Sequence, residues 1–148
     1  MQKITLGLGC FWGPEESFKS KPGIIETEVG YAGGTSTKVT YEEVCTGSTG
    51  HAEVVRLTFD ENVISFKKIL DLFFKMHDPT QKDMQYPDVG TQYRSEIFYE
   101  NEKQKQEAFE VLDEFNKRLG GKIQTNISEI KNYCKAEEYH QKYIEKNR

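Results

Sequence analysis

Residues 3–19, KITLGLGCFWGPEESFK, place a cysteine where a strand gives way to a helix. Residues 3–8 alternate weakly between apolar and polar side chains, as a short strand does. The Pro-Glu-Glu run at 14–16 predicts a helix over 14–19. Proline lacks an N–H that would have no partner in the first turn, and acidic residues favour that turn. Cys10 therefore lies in the connection between the two elements.

The rest of the chain alternates between strand-like and helix-like segments. Strand patterns cover 24–31, 52–59, 93–99 and 122–130, and helical patterns cover 66–77, 101–119 and, weakly, 135–146. Because the order lacks a regular βαβ rhythm, we predict an α+β two-layer sandwich with helices on one face of a mostly antiparallel sheet. The specific fold we expect is a ferredoxin-like plait with long loops.

Composition narrows the function classes. The chain has 148 residues and a net charge of -4, which favours one domain over 1–148 and disfavours nucleic acid or anionic lipid as partners. No apolar run approaches the roughly 20 residues of a membrane span, and no signal-peptide pattern is seen, so we expect a cytoplasmic protein. Three cysteines without a C-x-x-C pair argue against a disulfide scaffold and leave at least one free thiol.

Cys10 is the first candidate functional residue. A thiol at a helix N-terminus faces unpaired N–H groups and the positive end of the helix dipole, which favour the nucleophilic thiolate. Phe11 and Trp12 are suited to form an apolar wall beside the sulfur. The alternative from the residues alone is a buried structural cysteine with ordinary core aromatics around it.

Glu53 is the second candidate. In the strand 52–59, the period of two places it on the same face as Val55, Leu57 and Phe59. A carboxyl group on an apolar face has a raised pKa. From the residues alone, a strand-end glutamate that reaches solvent is the competing interpretation.

Six sequence blocks occur in the order of one known family and span about residues 5–143. They are GCFWG at 9–13, VGYAGG at 29–34, TGHAEVV at 49–55, HDPTQ at 77–81, GTQYRS at 90–95 and AEEYHQ at 136–141. Together they resemble the A-class peptide methionine sulfoxide reductases, which restore methionine from its sulfoxide.

The resemblance implies a reaction centred on Cys10. In the family, the matching cysteine attacks the sulfur of methionine S-sulfoxide and becomes a sulfenic acid, while Phe11 and Trp12 line a pocket for the substrate's methyl group. Glu53 matches the glutamate that protonates the sulfoxide oxygen.

The resemblance also assigns supporting residues. Tyr41 and Tyr93 match the tyrosines that hydrogen-bond the sulfoxide oxygen, and Asp88 matches an aspartate that binds the substrate main chain. We expect His51 to support the substrate site as hydrogen-bonding scaffold, as we do His140. The family uses no metal and no bound cofactor.

The sequence departs from the family pattern at two places. KDMQY at 82–86 stands where an Asn-Arg-Gln-Gly run is common in the family, so we expect the rim of the substrate site to differ from the family pattern. No cysteine follows HQKY at 140–143, where many members carry a recycling cysteine. Cys134 is a possible resolving residue and Cys45 a less favoured one.

We therefore favour a one-cysteine enzyme whose sulfenic acid is reduced by an external thiol, either glutathione with glutaredoxin or thioredoxin. Its partners would be oxidised proteins or peptides and a thiol reductant protein, and a monomer is favoured. Two rival functions stay open from the residues: a cysteine hydrolase that uses Cys10 with a histidine, and a non-catalytic module that binds oxidised methionine peptides.

Overall fold

The computed structural model describes residues 1–147. Its strands are β1 Gln2–Leu8, β2 Ile24–Ala32, β3 Ala52–Phe59, β4 Met84–Gln85, β5 Asp88–Val89, β6 Ser95–Tyr99, β7 Asn126–Glu129 and β8 Cys134–Lys135. Its helices are α1 Trp12–Lys19, α2 Tyr41–Cys45, α3 Phe66–Met76, α4 Glu102–Arg118 and α5 Tyr143–Lys146. Two short 3-10 turns cover Thr91–Tyr93 and Glu138–His140.

The main sheet has the strand order β7-β6-β1-β3-β2-β8. Its central strands β6, β1, β3 and β2 are antiparallel neighbours, with α1 between β1 and β2 and α3 between β3 and β6 along the chain. This is the βαββαβ order of a ferredoxin-like plait, which confirms the predicted fold class. Strand β7 extends the sheet parallel to β6 after the crossover through α4.

The core lies between one face of the sheet and the helices. Alternate residues of the central strands meet apolar side chains of α1, α3 and α4 in one buried cluster, as the predicted helical stripe of 66–77 requires. The buried residues of α3 are Phe66, Ile69, Leu70, Phe73 and Phe74. A smaller buried group on the opposite face of the sheet is partly covered by Ile130 and Tyr133.

Helix α1 begins at Trp12, earlier than the predicted start at Pro14. The Glu15 N–H donates to the Phe11 carbonyl at 3.2 Å, so Phe11 is the N-cap. Pro14 is tolerated in the first turn because the N–H groups there have no partner within the helix. The earlier start places Cys10 directly before the cap.

The C-terminal third differs most from the prediction. The predicted strand over 122–130 shortens to β7, because the Ile123 N–H bonds to the Asn116 side chain and the Gln124 N–H to the Pro79 carbonyl. In place of a weak helix over 135–146, the chain forms β8, a 3-10 turn and the short α5.

Two elements inside predicted loops were missed. Helix α2 starts with a capping box, in which Thr40 and Glu43 exchange side-chain to backbone hydrogen bonds. Strands β4 and β5 form a two-stranded hairpin within the predicted loop. The predicted strand 93–99 begins two residues later, at Ser95, because a 3-10 turn precedes it.

The remaining helices lie close to their predicted bounds. Ser65 caps α3 by accepting from the Lys68 N–H, as predicted, and α3 ends one residue early. Asn101 caps α4 from outside the helix. Within residues 1–147, no helix is long and apolar enough to cross a membrane.

Candidate active site

Cys10 lies in the turn between β1 and α1 and is partly buried. Gly9, just before it, has a φ of 95°, a conformation that favours glycine. A Cβ at this position would approach the Gln85 side chain at 3.0 Å, so the β4–β5 hairpin packs closely against the turn. The thiol therefore lies beside this hairpin, just past the end of the central strand β1.

Glu53 is buried beside this turn, as the period-two pattern predicts. The residue is only 1% exposed, and its Oε1 accepts a hydrogen bond from the Phe11 N–H at 3.3 Å. The other oxygen, Oε2, is buried and has no hydrogen-bond partner among the described residues. Burial raises the pKa of Glu53 to about 8, which keeps the carboxyl largely protonated at neutral pH.

The prediction of a depressed thiol pKa is wrong for the protein in this structure. Burial raises the pKa of Cys10 to about 11, and the charges of Glu53 and Asp88 raise it further. A hydrogen bond from the Trp12 backbone lowers it, as expected at a helix start, but this effect is smaller. Cys10 is therefore mostly a neutral thiol at pH 7.

Two tyrosine hydroxyls lie near this pair. Burial raises the pKa of Tyr93 to about 12, with further contributions from the charges of Glu53 and Cys10 among others. Burial also raises the pKa of Tyr41, and a hydrogen bond to the Cys45 side chain is the second cause of that rise. Both phenols therefore stay protonated at neutral pH and can donate hydrogen bonds.

Arg94 holds the segment that carries Tyr93 against the segment that leads into β3. Its guanidinium donates to the Thr91 carbonyl at 2.9 Å and to the Gly50 carbonyl at 3.0 Å. Its Nε donates to Glu96 Oε1 at 2.6 Å, which fixes the direction of the side chain.

Asp88 lies on the β4–β5 hairpin, two residues after the run 82–86 in which this sequence departs from the family pattern. Its charge acts on Cys10, Glu53 and Tyr93, so it faces the same site. Tyr86, at the tip of the hairpin, is 78% exposed. The departing sequence thus forms an exposed rim beside the thiol.

The two aromatic residues after Cys10 differ in their surroundings. Phe11 is buried against the rings of Tyr31 and His140. Trp12 is half-buried; its Nε1–H donates to His140 Nδ1 at 3.1 Å, and its indole stacks on the Tyr143 ring with centroids 3.8 Å apart. They form a wall with one buried and one accessible ring.

The histidines serve as scaffold in different places. His51 is buried, and its ring nitrogens lie 3.4 Å from the Thr49 carbonyl and 3.1 Å from the Asn132 carbonyl. His77 lies between the Phe73 carbonyl and the Ser95 hydroxyl, and burial lowers its pKa to about 4. Within residues 1–147, no group of three His, Cys, Asp or Glu side chains is placed to hold a metal ion.

Sequence reasoning missed Glu137 and Tyr143, whereas His140, which accepts from the Trp12 indole, has the scaffold contact expected of it. Glu137 accepts from the Tyr31 hydroxyl at 2.8 Å and from the Tyr41 N–H at 2.9 Å. Glu137 lies in the AEEYHQ block, and Tyr143 follows two residues after it. Their position in or beside a family block is the only signal in the sequence that marks them.

The other two cysteines are free in the structure and lie apart from the thiol turn along the chain. Cys134 is on β8 opposite Tyr31, which is itself opposite Glu53 on β3. Its sulfur lies 3.6 Å from the Val39 carbonyl. Cys45 ends α2 and is exposed, with its side chain hydrogen-bonded to Tyr41.

Together these groups form a site for attack on a polar, oxygen-bearing centre. One thiol can attack, one buried acid has an unpaired oxygen and a proton to give, and two neutral phenols can stabilise an oxygen that gains charge. The aromatic wall suits a small apolar group attached to the same centre.

Comparison with known proteins gives a consistent result. The family model described as "Peptide methionine sulfoxide reductase" matches residues 2–148. The chain is 58% identical over 146 residues to a "Peptide methionine sulfoxide reductase MsrA" from Pelagibacter ubique, covering 99% of each chain.

Two solved structures extend the comparison. Methionine sulfoxide reductase A of Corynebacterium diphtheriae has a TM-score of 0.95 at 37% identity, covering 99% of this chain and 74% of that one. Mxr1 from Saccharomyces cerevisiae in complex with Trx2 has a TM-score of 0.67 at 29% identity, covering 96% and 84%.

Proposed function

The chain belongs to the peptide methionine sulfoxide reductase family, and we propose that it reduces methionine S-sulfoxide with Cys10 as the nucleophile. Members of the family reduce methionine sulfoxide, and the chain is a thiol-dependent oxidoreductase. The observation that carries the assignment of residues is the buried Glu53 carboxyl, tied to the residue after Cys10 and left with one unpaired oxygen.

In the reaction, the Cys10 sulfur attacks the sulfoxide sulfur and the sulfur–oxygen bond of the substrate breaks. The oxygen, now a hydroxyl, bonds to the Cys10 sulfur as the transient bond between the two sulfurs breaks, so methionine leaves and Cys10 becomes a sulfenic acid. The substrate sulfur is reduced by two electrons and the cysteine sulfur is oxidised by two. No proton is gained or lost overall.

Glu53 moves the proton within this step. The carboxyl enters protonated, because burial raises its pKa to about 8, and gives its proton to the sulfoxide oxygen. The carboxylate then takes up the proton that the Cys10 thiol loses. This exchange suits a thiol whose pKa of about 11 keeps it neutral before substrate binds.

Tyr41 and Tyr93 donate hydrogen bonds to the same oxygen as it gains charge. Neutral phenols suit this role because their raised pKa values keep the donor protons in place. We assign Asp88, whose charge acts on Cys10, to accept from the main-chain N–H of the bound methionine.

Phe11 and Trp12 receive the methyl group of the substrate sulfur. The methyl is the apolar end of a strongly polar centre, and it gains from burial against aromatic rings. His51 supports this site only through the loops that it joins.

An external thiol completes the cycle. The first thiol condenses with the sulfenic acid and releases water, and the second displaces the Cys10 thiol and leaves as a disulfide. Cys134 points toward the Val39 carbonyl, across Tyr31 from Glu53, which supports an outside reductant. The yeast neighbour in complex with thioredoxin Trx2 supports a protein thiol in this role.

The rival functions lack a matching observation. A cysteine hydrolase needs a histidine that activates the thiol, but none of the three is hydrogen-bonded to Cys10 within residues 1–147. His51 and His77 contact other groups through both ring nitrogens, and His140 binds Trp12 through Nδ1 and leaves Nε2 without a partner. A module that only binds oxidised peptides needs no proton donor beside the cysteine.

The decisive experiment uses separated S and R epimers of a methionine sulfoxide peptide with dithiothreitol. We expect turnover of the S epimer by the intact protein and none by Cys10→Ser. Turnover of the S epimer that is undiminished in Cys10→Ser would contradict the assignment, as would no turnover of either epimer by the intact protein.

A further inference from the structure

We propose that Tyr143 and Glu15 are positioning residues for the Trp12 indole and, through it, set how tightly the enzyme holds the methyl group of its substrate. This inference rests on the proposed function, in which Trp12 lines the methyl pocket. Neither Tyr143 nor Glu15 takes part in the reaction described above.

The indole is held by two contacts from one segment of the chain. Tyr143 stacks on its face, with an interplanar angle of 10° and a centroid distance of 3.8 Å. His140 accepts from its Nε1–H at 3.1 Å. The stack fixes the plane of the ring and the hydrogen bond fixes its rotation within that plane.

Glu15 of helix α1 holds the same segment, residues 140–143, through a hydrogen bond to Lys142. The residue is 1% exposed, yet its two oxygens accept from the Lys142 N–H at 2.6 Å and from the Thr27 hydroxyl at 2.8 Å. A buried carboxylate normally carries a cost unless such donors satisfy it, so this pairing is a specific feature of the fold.

The Lys142 backbone explains why the anchor matters for Tyr143. Lys142 has a φ of 50°, in the left-handed region that non-glycine residues rarely occupy. The hydrogen bond from its N–H to Glu15 stabilises that conformation, and the next residue is Tyr143. Glu15 therefore fixes the direction in which the chain presents the Tyr143 ring to Trp12.

Gln141 attaches the segment to the sheet. Its side-chain amide accepts from the Val29 N–H and donates to the Val29 carbonyl, both at 2.9 Å. The amide thus takes the place of a strand partner at the edge of β2. Gln141 is hydrogen-bonded to strand β2 and the Lys142 N–H to Glu15 of helix α1. The chain between His140 and Tyr143 is therefore fixed at both of its middle residues.

Glu15 and Trp12 are on the same helix, so the arrangement closes a loop. Glu15 holds Lys142, Lys142 directs Tyr143, and Tyr143 covers the indole three residues before Glu15. Because Trp12 is half-buried at the site, loss of the stack frees its ring without opening the core.

Trp12 is the only tryptophan in the sequence, so its fluorescence reports directly on this arrangement. We expect Tyr143→Leu, measured without substrate, to shift the emission to longer wavelength and to increase quenching by acrylamide. In turnover of the S-epimer peptide with dithiothreitol, we expect KM to rise about fivefold, the scale of a lost aromatic pair, and kcat to change less than about twofold.

Glu15→Gln provides a second variant that leaves the Tyr143 ring in place. Its amide nitrogen is no acceptor, so one of the two donors loses its partner. We expect the same red shift and a rise in KM of about threefold. Tyr143→Phe keeps the ring and should return the emission and KM close to wild type. Tyr99→Leu, a partly buried tyrosine on β6, measures the general cost of losing such a side chain.

Wild-type emission and KM in both Tyr143→Leu and Glu15→Gln would overturn the proposal, as would a defect in Tyr143→Phe as large as in Tyr143→Leu. If Tyr143→Leu melts below the assay temperature, Glu15→Gln and Tyr143→Phe decide the question. If the wild-type protein does not turn over the S epimer, the proposed function fails, while the emission shift still tests the contact.

Discussion

The backbone N–H of Phe11 donates to Oε1 of Glu53 at 3.3 Å and thereby ties the buried acid to the residue that follows the thiol. Oε2 stays unpaired among the described residues. Oε1 thus fixes the position of the carboxyl group, and Oε2 is free to donate the proton to substrate. The division gives Glu53 a fixed position without removing its capacity to donate a proton.

Glu53→Gln should lower the rate of methionine formation by about 10²–10⁴-fold, the usual contribution of a general acid. Glutamine has the same shape and its carbonyl can still accept from the Phe11 N–H, so substrate KM should change little. Single-turnover release of methionine measures the effect. Glu61→Gln, an exposed acid before α3, is the control. A near-normal rate in Glu53→Gln would remove the acid from the mechanism.

The pH dependence should show two opposite trends. Because the pKa of Glu53 is raised to about 8, the protonated fraction and the kcat/KM that depends on it fall as pH rises through about 8. Because the pKa of Cys10 is raised to about 11, alkylation of the thiol by iodoacetamide continues to rise well above pH 9. An alkylation rate that levels off near pH 7 would show a thiolate instead.

Glu53→Gln should also increase the alkylation rate of Cys10 at a fixed pH near 9. The Glu53 charge is one of the causes that raise the thiol pKa, and the substitution removes it. The comparison is made on the same iodoacetamide assay, with Glu61→Gln again as control. An unchanged rate would mean that the charge of Glu53 does not affect the pKa of the Cys10 thiol.

The stability of the protein should depend on the same carboxyl. Its pKa is raised in the folded state from the ordinary value of 4.5 to about 8, so the folded state binds more protons between these values. The free energy of unfolding therefore falls as pH rises through that window. Thermal melts of wild type and Glu53→Gln should diverge with rising pH, with the variant more stable at pH 8–9.

Recycling by an external thiol predicts the fate of each cysteine. Oxidation by the S-epimer peptide without reductant should consume one thiol per methionine formed and leave a sulfenic acid on Cys10. Cys134→Ser should give the same count. Mass spectrometry with a sulfenic-acid trap measures both, and a Cys10–Cys134 disulfide in good yield would contradict the expectation.

Much of the fold can be predicted from the sequence, because apolar and polar residues alternate along its central strands. The period of two placed Glu53 on the buried face together with Val55 and Leu57, and the structure confirms that placement. The helical stripe of α3 and its Ser65 cap were equally direct. These features depend on neighbours along the chain.

What the sequence could not predict depends on contacts between distant residues. The thiol pKa of Cys10 was misjudged because its burial comes from packing that no local pattern reveals. The segment 135–146 was misjudged because Gln141 and Lys142 are held by Val29 and Glu15, more than 100 residues away. Helix α2 is the exception, since its capping box was present in the sequence.

The two carbonyl contacts of Arg94 have a consequence for motion. Gly50 precedes the strand that carries Glu53, and Thr91 precedes Tyr93, so one side chain joins both segments. The bond to Thr91 fixes the guanidinium within its own segment, so the two segments separate only when its bond to Gly50 breaks, which couples their local unfolding. The backbone amides of 51–53 and of 93–94 should therefore exchange with solvent deuterium as one cooperative unit.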